Sequence, residues 1–306
     1  MKERYLNEVR LLMQLLPWVA TEDCFALKGG TAINLFYRDF PRISVDIDLL
    51  YVPMDERDQA LVKIRAALSR ISKLIKENVK GVKIQNTHEQ SDALRIIVFQ
   101  GDVKVKIELS PVIRGSVFPV QMMTVKKQVE DELGYATMQV ASFSDVYAGK
   151  LCAALDRQHP RDLFDVKVLF ENEGLTEELR KTFIVFLISH QRPMAELLKP
   201  NFKKIEGVYQ AEFYEMSRVD VTLTELEQAR EKLVAEIGSK LTNDERKFLM
   251  SFKSLSPDWT LLGMEKIEMI ASLPSVRWKI SNLQTMGGSK HKESVDKLEK
   301  ILFGNL

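Results

Sequence analysis

Apolar residues recur at helical spacing from the start of the chain. Tyr5, Leu6, Val9, Leu12, Met13, Leu15 and Leu16 predict an amphipathic helix closing near Pro17. Phe25–Leu27 is a short run of strand type that meets Gly29-Gly30, after which TAINLFY resumes helical spacing. The segment Ser44–Val52, SVDIDLLYV, predicts a strand, and a charged amphipathic helix follows over residues 56–79. Runs of β type come next, VKIQN, ALRIIVF, VKVKIEL and SVFPVQMMTV, separated by turns such as Gln100-Gly101-Asp102. From Ser142 onward nearly every segment has helical spacing, broken near SPDW at 256–259 and at the glycine pair 287–288. The pattern changes from mixed α/β to all-α, so two domains are expected, 1–140 and 141–306, in an α+β protein.

Composition narrows the class without naming a chemistry. The 306 residues carry 44 basic and 43 acidic side chains, so no whole-molecule field draws the protein to nucleic acid or membrane. Polyanion binding must come from local patches. Two are candidates: residues 277–300, with Arg277, Lys279, Lys290, Lys292, Lys297 and Lys300 against Glu293, Asp296 and Glu299, and the group Arg192, Lys199, Lys203 and Lys204. Cys24 and Cys152 are too scattered for a disulfide framework or zinc site, and His88, His159, His190 and His291 lack metal-ligand spacing. No apolar run reaches the ~18 residues of a membrane span and no cleavage signal follows the first helix, which points to a cytoplasmic protein.

Chemistry concentrates in SVDIDLL. The pleat puts Val45, Ile47 and Leu49 on one face and Asp46 and Asp48 on the other, ~7 Å apart by strand rise. A wet strand face carries the same pattern. Two carboxylates beside substrate phosphates are also a common magnesium arrangement. The context favours the metal: Gly29-Gly30 lies where a strand enters a helix, so backbone N–H groups can approach a phosphate, with Lys28 and Thr31 flanking the turn. A third carboxylate is offered by VKVKIELSP. There Val103, Val105, Ile107 and Leu109 form the apolar face and Glu108 ends the opposite one.

The helical half supplies cations. SFSDVYAGKLCAALDRQHPRDLFDVKVLF reads as two helices broken at His159-Pro160, with Pro160 as a first helical residue. Lys150 and Arg157 share a face on the first, while on the second Asp165 stands four residues from Arg161 and three from Asp162. A surface salt-bridge ladder explains them. So does a phosphate site, with Lys150 neutralising β- and γ-phosphate charge while Arg161, Asp162 and Asp165 orient it or the nucleotide.

LKGGTAINLFYRDFPRISVDIDLLY resembles the first motif of the AbiEii/AbiGii toxin family, nucleotidyltransferases of type IV toxin–antitoxin and phage-abortive systems, through the glycine pair, Thr31, Arg42, Ser44, Asp46, Asp48 and Leu49. AGKLCAALDRQHPRDLFDV resembles that family's second block, and LPSVRWKISNL its C-terminal region. The resemblance implies a DNA polymerase β-like nucleotidyltransferase domain followed by a helical one that completes the site. It implies metal ligation by Asp46 and Asp48, a catalytic need for Lys150, and triphosphate contacts from Gly29, Gly30, Thr31 and Ser44. A further polar role would fall to Asp162 or Asp165. Relatives transfer a nucleotide from a nucleoside triphosphate, some onto the 3′ end of tRNA, and a cognate antitoxin opposes them.

The expected activity is therefore magnesium-dependent nucleotidyl transfer, with one or two ions held by Asp46, Asp48 and Glu108 and with tRNA as the leading acceptor. Transfer to a small molecule or protein hydroxyl is the alternative within catalysis. A silent nucleotide- or partner-binding module is the alternative outside it.

Overall fold

The computed structural model of the chain describes residues 3–86 and 94–304. His88, and Ala93 at the head of the run ALRIIVF, lie outside the described residues. The chain divides into two compact units: Met1–Val146 with Glu212–Asp220, and Tyr147–Ala211 with Val221–Leu306. The cut falls inside a helix rather than at residue 140, and the short return of 212–220 to the first unit has no counterpart in the hydrophobic pattern.

Among the described residues the first unit is built on a mixed seven-stranded sheet of order β3-β4-β5-β2-β1-β7-β6. Its strands are β1 (Phe25–Lys28), β2 (Asp46–Tyr51), β3 (Val82–Asn86), β4 (Arg95–Gln100), β5 (Val103–Arg114), β6 (Gln121–Thr124) and β7 (Thr137–Val140). β2 sits centrally, antiparallel to β1 and parallel to β5. Helices α1 (Glu3–Val19) and α3 (Arg57–Asn78) pack against the sheet, α1 on β5 and β7 and α3 on β3 and β4. Leu12, Leu15, Leu16, Ile64, Leu68 and Ile71 from these helices are buried, as are Ile47, Leu49, Ile96, Val98, Val105 and Ile107 from the strands. Burying one face of β2 this way leaves its alternate residues, Asp46 and Asp48, only half-buried.

Three features depart from the pattern. Helix α1 runs two residues past the expected stop, through Pro17 to Val19. The segment after Gly29-Gly30 is a one-turn helix, α2 (Gly29–Thr31), that passes into a π-helical stretch, Ala32–Tyr37. Strand β5 does not end at Glu108 but continues to Arg114, so Glu108 is mid-strand. A register shift between Leu49 and Tyr51 lets the ladder resume past Pro111, and Ser110 Oγ accepts from Val112 N and Ile113 N at 3.3 and 3.2 Å.

The second unit is helical. Helix α5 (Phe143–Asp156) enters it, and α6 (Pro160–Asn172) follows with Pro160 at its first position, where its missing N–H costs nothing. His159 caps that helix, its Nδ1 accepting from Arg161 N at 3.1 Å. Thr222/Glu225 and Thr242/Glu245 form capping boxes on α10 (Leu223–Lys240) and α11 (Asn243–Lys253). α10 packs on α6, while α7 (Glu177–Ser189) packs on α11 and on α13 (Pro274–Gln284). Among the described residues no helix is long and apolar enough to cross a membrane.

Candidate active site

The strand register assembles the site from separate stretches of sequence. Lys28 pairs with Asp48, Asp48 with Glu108, and Glu108 with Arg95, forming one row across β1, β2, β5 and β4. In the next row Asp46 pairs with Lys106. Residues opposite one another on paired strands share a face, so three carboxylates and three cations occupy one patch of sheet. Lys106 Nζ lies 2.9 Å from Glu108 Oε1 and 3.8 Å from Asp46 Oδ1, and Arg95 Nε lies 3.3 Å from Glu108 Oε2. Glu108 is thus held at both oxygens by cations. Among the described residues no three His, Cys, Asp or Glu side chains form a ready metal-binding group.

The glycine turn lies directly against this patch. Gly29 has φ +72°, a left-handed conformation that favours glycine, and a Cβ built on it would stand 2.5 Å from Asp48 Oδ2. A Cβ on Gly30 would stand 2.8 Å from Ser44 Oγ and 3.0 Å from Arg42 Nη2. Both positions therefore require glycine, the first for conformation and space and the second for space alone. Asn34 Nδ2 donates to Gly30 O at 2.8 Å and its Oδ1 accepts from Arg42 N at 3.3 Å, tying the turn to the segment that enters β2.

Thr31 is fully buried, donating to Asp46 O at 2.5 Å with Ser44 Oγ at 3.0 Å, so its hydroxyl braces the first residue of β2. Ser44 is buried as well, at 8% exposure. Asn34, Arg95 and Lys106 are site residues that the hydrophobic pattern and the motifs left without a role. Asn34 stands four residues after Gly30, a helical neighbour spacing, and Lys106 stands one alternation before Glu108.

In the second unit Lys150, Asp162 and Asp165 do not form a surface ladder. Lys150 Nζ lies 2.7 Å from Asp162 Oδ1 and 3.0 Å from Asp165 Oδ2, with all three side chains at most 6% exposed. Arg157 adds a second cation to Asp162 at 2.9 Å. The helix break at His159-Pro160 turns α6 so that Asp162 and Asp165, one turn apart, face Lys150 on α5. Arg161 is half-buried in the first turn of α6.

The basic patches shrink in three dimensions. Lys279 is buried, donating to His190 O at 2.5 Å and to Gln191 O at 3.3 Å, and burial beside Lys253 pulls its ammonium down to a pKa of about 8. That leaves five exposed basic residues against three acids in the 277–300 segment. Arg192 is paired with Asp156 at 2.5 Å and with Glu196 at 3.3 Å. Lys199, Lys203 and Lys204 are exposed, although Lys203 Nζ donates to Asp156 O at 2.9 Å.

Comparison with known proteins agrees with this architecture. A sequence profile described as the nucleotidyl transferase AbiEii toxin of type IV toxin–antitoxin systems matches residues 10–282. Among solved structures the chain is similar to MenT4, a nucleotidyltransferase toxin from Mycobacterium tuberculosis, at 16% identity and a TM-score of 0.59 over 91% of this chain and 92% of that one. At that identity the likeness shows the fold. Comparison with curated protein sequences gave no match. The chain belongs to the AbiEii family of nucleotidyltransferase toxins.

Proposed function

We propose that the protein transfers a nucleotide from a nucleoside triphosphate to the 3′ end of tRNA, with magnesium held at Asp46 and Asp48. The observation that carries this reading is the juxtaposition at Gly29, whose Cα faces the Asp48 carboxylate so closely that a side chain there would stand 2.5 Å from Oδ2. A phosphate cradle and a carboxylate pair thus share one spot.

The donor set fits the ion. Asp46 and Asp48 offer hard oxygens on one half-exposed face, and like charges this close gain from a cation. When bound, the ion would polarise the α-phosphate, favouring attack by an acceptor hydroxyl that gives up its proton to solvent as the α–β phosphoanhydride bond breaks and pyrophosphate leaves. The chain's own groups do the rest. Gly29 and Gly30 let backbone approach the phosphates, Lys28 beside Asp48 offsets their charge, and Ser44 with Thr31 fixes the entry to β2.

Glu108 enters the proposal as the third carboxylate on its register with Asp48, and a metal must compete with Lys106 and Arg95 for it. Lys150 enters as a residue needed for activity, and Arg161, Asp162 and Asp165 as groups that orient it or the nucleotide. The acceptor is supported by Arg277, Lys290, Lys292, Lys297 and Lys300, all exposed on α13 and α14 (Gly288–Phe303). A cytoplasmic setting and a cognate antitoxin complete the reading.

Incubation with total RNA, magnesium and each labelled triphosphate tests it. Label on tRNA of unchanged length plus a few nucleotides supports the acceptor. Turnover with label only on protein or small molecules replaces it with the alternative hydroxyl, and no turnover of any triphosphate removes the catalytic reading.

A further inference from the structure

The geometry points to Arg218 as a positioning residue for nucleotidyl transfer, acting through the segment Phe40–Ser44 on the strand that carries Asp46 and Asp48. This rests on the reading of the site given above.

Arg218 is remote from β2 in sequence and belongs to Glu212–Asp220, the stretch that returns to the first unit. There it forms a strap. Met216 O accepts from Ile43 N at 2.8 Å, Arg218 N donates to Pro41 O at 2.9 Å, and Ser217 bridges Arg42 in antiparallel fashion. The Arg218 guanidinium lies 4.4 Å from the centroid of the Phe40 ring. It also grips Glu132 with two nitrogens, Nη1 donating to Oε1 at 2.8 Å and Nη2 to Oε2. Glu132 lies on α4 (Lys127–Leu133), whose preceding residue Lys126 donates its N–H to Leu35 O at 2.8 Å in the π-helical stretch. The strap is therefore bonded through Met216 and Arg218 to the segment entering β2, and through Glu132 on α4 it is linked to the π-helical stretch after the glycine turn.

What it holds is under strain. Phe40 is fully buried with φ +53°, a left-handed backbone that a phenylalanine keeps only where its surroundings impose it. Two residues on, Arg42 is 2% exposed, donating Nη1 to Ile43 O at 2.7 Å and placing Nη2 against Gly30. Next come Ser44 against Gly30, then Thr31 bonded to Asp46 O. A continuous run of packed and bonded groups thus leads from Arg218 to both the phosphate turn and the first carboxylate. A planar, bidentate, stacking cation suits this place, and lysine cannot reproduce both contacts.

The test compares wild type with Arg218→Ala, Arg218→Lys, Glu132→Ala and the double variant Arg218→Ala/Glu132→Ala. Affinity for labelled nucleoside triphosphates with magnesium is read by equilibrium dialysis, which needs no acceptor. KM and kcat for transfer to total tRNA are read beside it, with circular dichroism giving the folded fraction. Arg218→Ala is expected to weaken triphosphate affinity and lower kcat, each by roughly 10-fold or more, short of the 10²-fold that a 1 Å misplacement can cost. Arg218→Lys recovers only part of this, and the double variant is no worse than Arg218→Ala, because both partners serve one contact. Triphosphate affinity and KM at wild-type values, with any rate loss matching the loss of folded protein, overturn the inference. Should Arg218→Ala fail to fold, Arg218→Lys carries the same comparison. Asp48→Asn separates the two levels: if it transfers nucleotide normally, the reading of the site fails, whereas an inactive Asp48→Asn beside an unaffected Arg218→Ala removes Arg218 alone.

Discussion

Replacing Gly29 by alanine tests the closeness of the phosphate turn to Asp48, and Gly81 supplies its internal control. Both glycines have positive φ, +72° and +73°, but a Cβ at Gly81 meets nothing within 4 Å, while one at Gly29 stands 2.5 Å from Asp48 Oδ2. A left-handed alanine costs about 1–2 kcal/mol, offset by about 0.4–1 kcal/mol because the unfolded chain loses freedom. Gly81→Ala should therefore cost about 1 kcal/mol, a fall in Tm of roughly 2–4 °C by the scaling for a domain of this size. Its nucleotide transfer should stay at wild-type rate. Gly29→Ala bears the same strain and must also push the carboxylate from 2.5 Å to the 3.4 Å of ordinary contact, a shift of about 1 Å. Such crowding adds about 1–3 kcal/mol, and a displacement of that size can cost 10²-fold in rate. Thermal melts beside transfer assays on the two variants decide the matter. A Gly29→Ala enzyme within about threefold of Gly81→Ala would refute the claim that Asp48 must occupy that position.

Other outcomes follow from the buried and paired charges. Lys150→Met withdraws the ammonium from two buried carboxylates, of which Asp162 keeps Arg157, and should cost up to about 3–5 kcal/mol in urea unfolding, with partial recovery when Asp165→Asn is added. The double hydrogen bond from Arg218 holds the Glu132 carboxyl down to a pKa of about 2. A depressed carboxylate stabilises the fold above its unfolded value and loses that contribution as pH falls toward 2, so Arg218→Ala and wild type should converge in stability over that acid range. Lys279 is also shifted down, its folded pKa of about 8 lying below the ordinary lysine value of 10.5, but here burial disfavours the charged form. The unfolded chain then binds more protons between these values, so wild type should gain stability relative to Lys279→Met as pH rises from 8 to 10.5. A pH-independent difference between the two would contradict it. Glu108→Gln should weaken the pairs with Lys106 and Arg95 and lower transfer, and an unchanged rate would remove Glu108 from the proposed ligand set.

The strand SVDIDLL was legible because a period of two fixes which residues share a face, and β2 keeps that alternation. The His159-Pro160 break was legible for a similar local reason, since proline at a first helical position needs no partner for its missing N–H. What the pattern could not give was register. That Asp48 lies beside Glu108 and Lys28, and that Lys106 stands between two carboxylates, follows from pairing between strands remote in sequence, β5 with β2 and β2 with β1. The mid-strand place of Glu108 was hidden by Pro111, which usually ends a strand and is here passed by a register shift. Short elements escaped too: α4 and β7 have seven and four residues, too few to show a period. Lys279 read as a surface cation because sequence carries no sign of burial for a side chain whose ammonium ends on two carbonyl oxygens. The strap of residues 212–220 depends on backbone bonds to Pro41 and Ile43, which no side-chain pattern encodes.

The central claim, that Asp46 and Asp48 hold the ion that drives nucleotidyl transfer, is tested most directly by magnesium titration of labelled-nucleotide incorporation in wild type and Asp48→Asn. Asparagine keeps the size of the side chain and removes one charge from a half-buried strand position, so the fold should persist. The account predicts incorporation that saturates with magnesium in wild type and falls at least about 10²-fold in Asp48→Asn. Equal incorporation by the two proteins at saturating magnesium would contradict it.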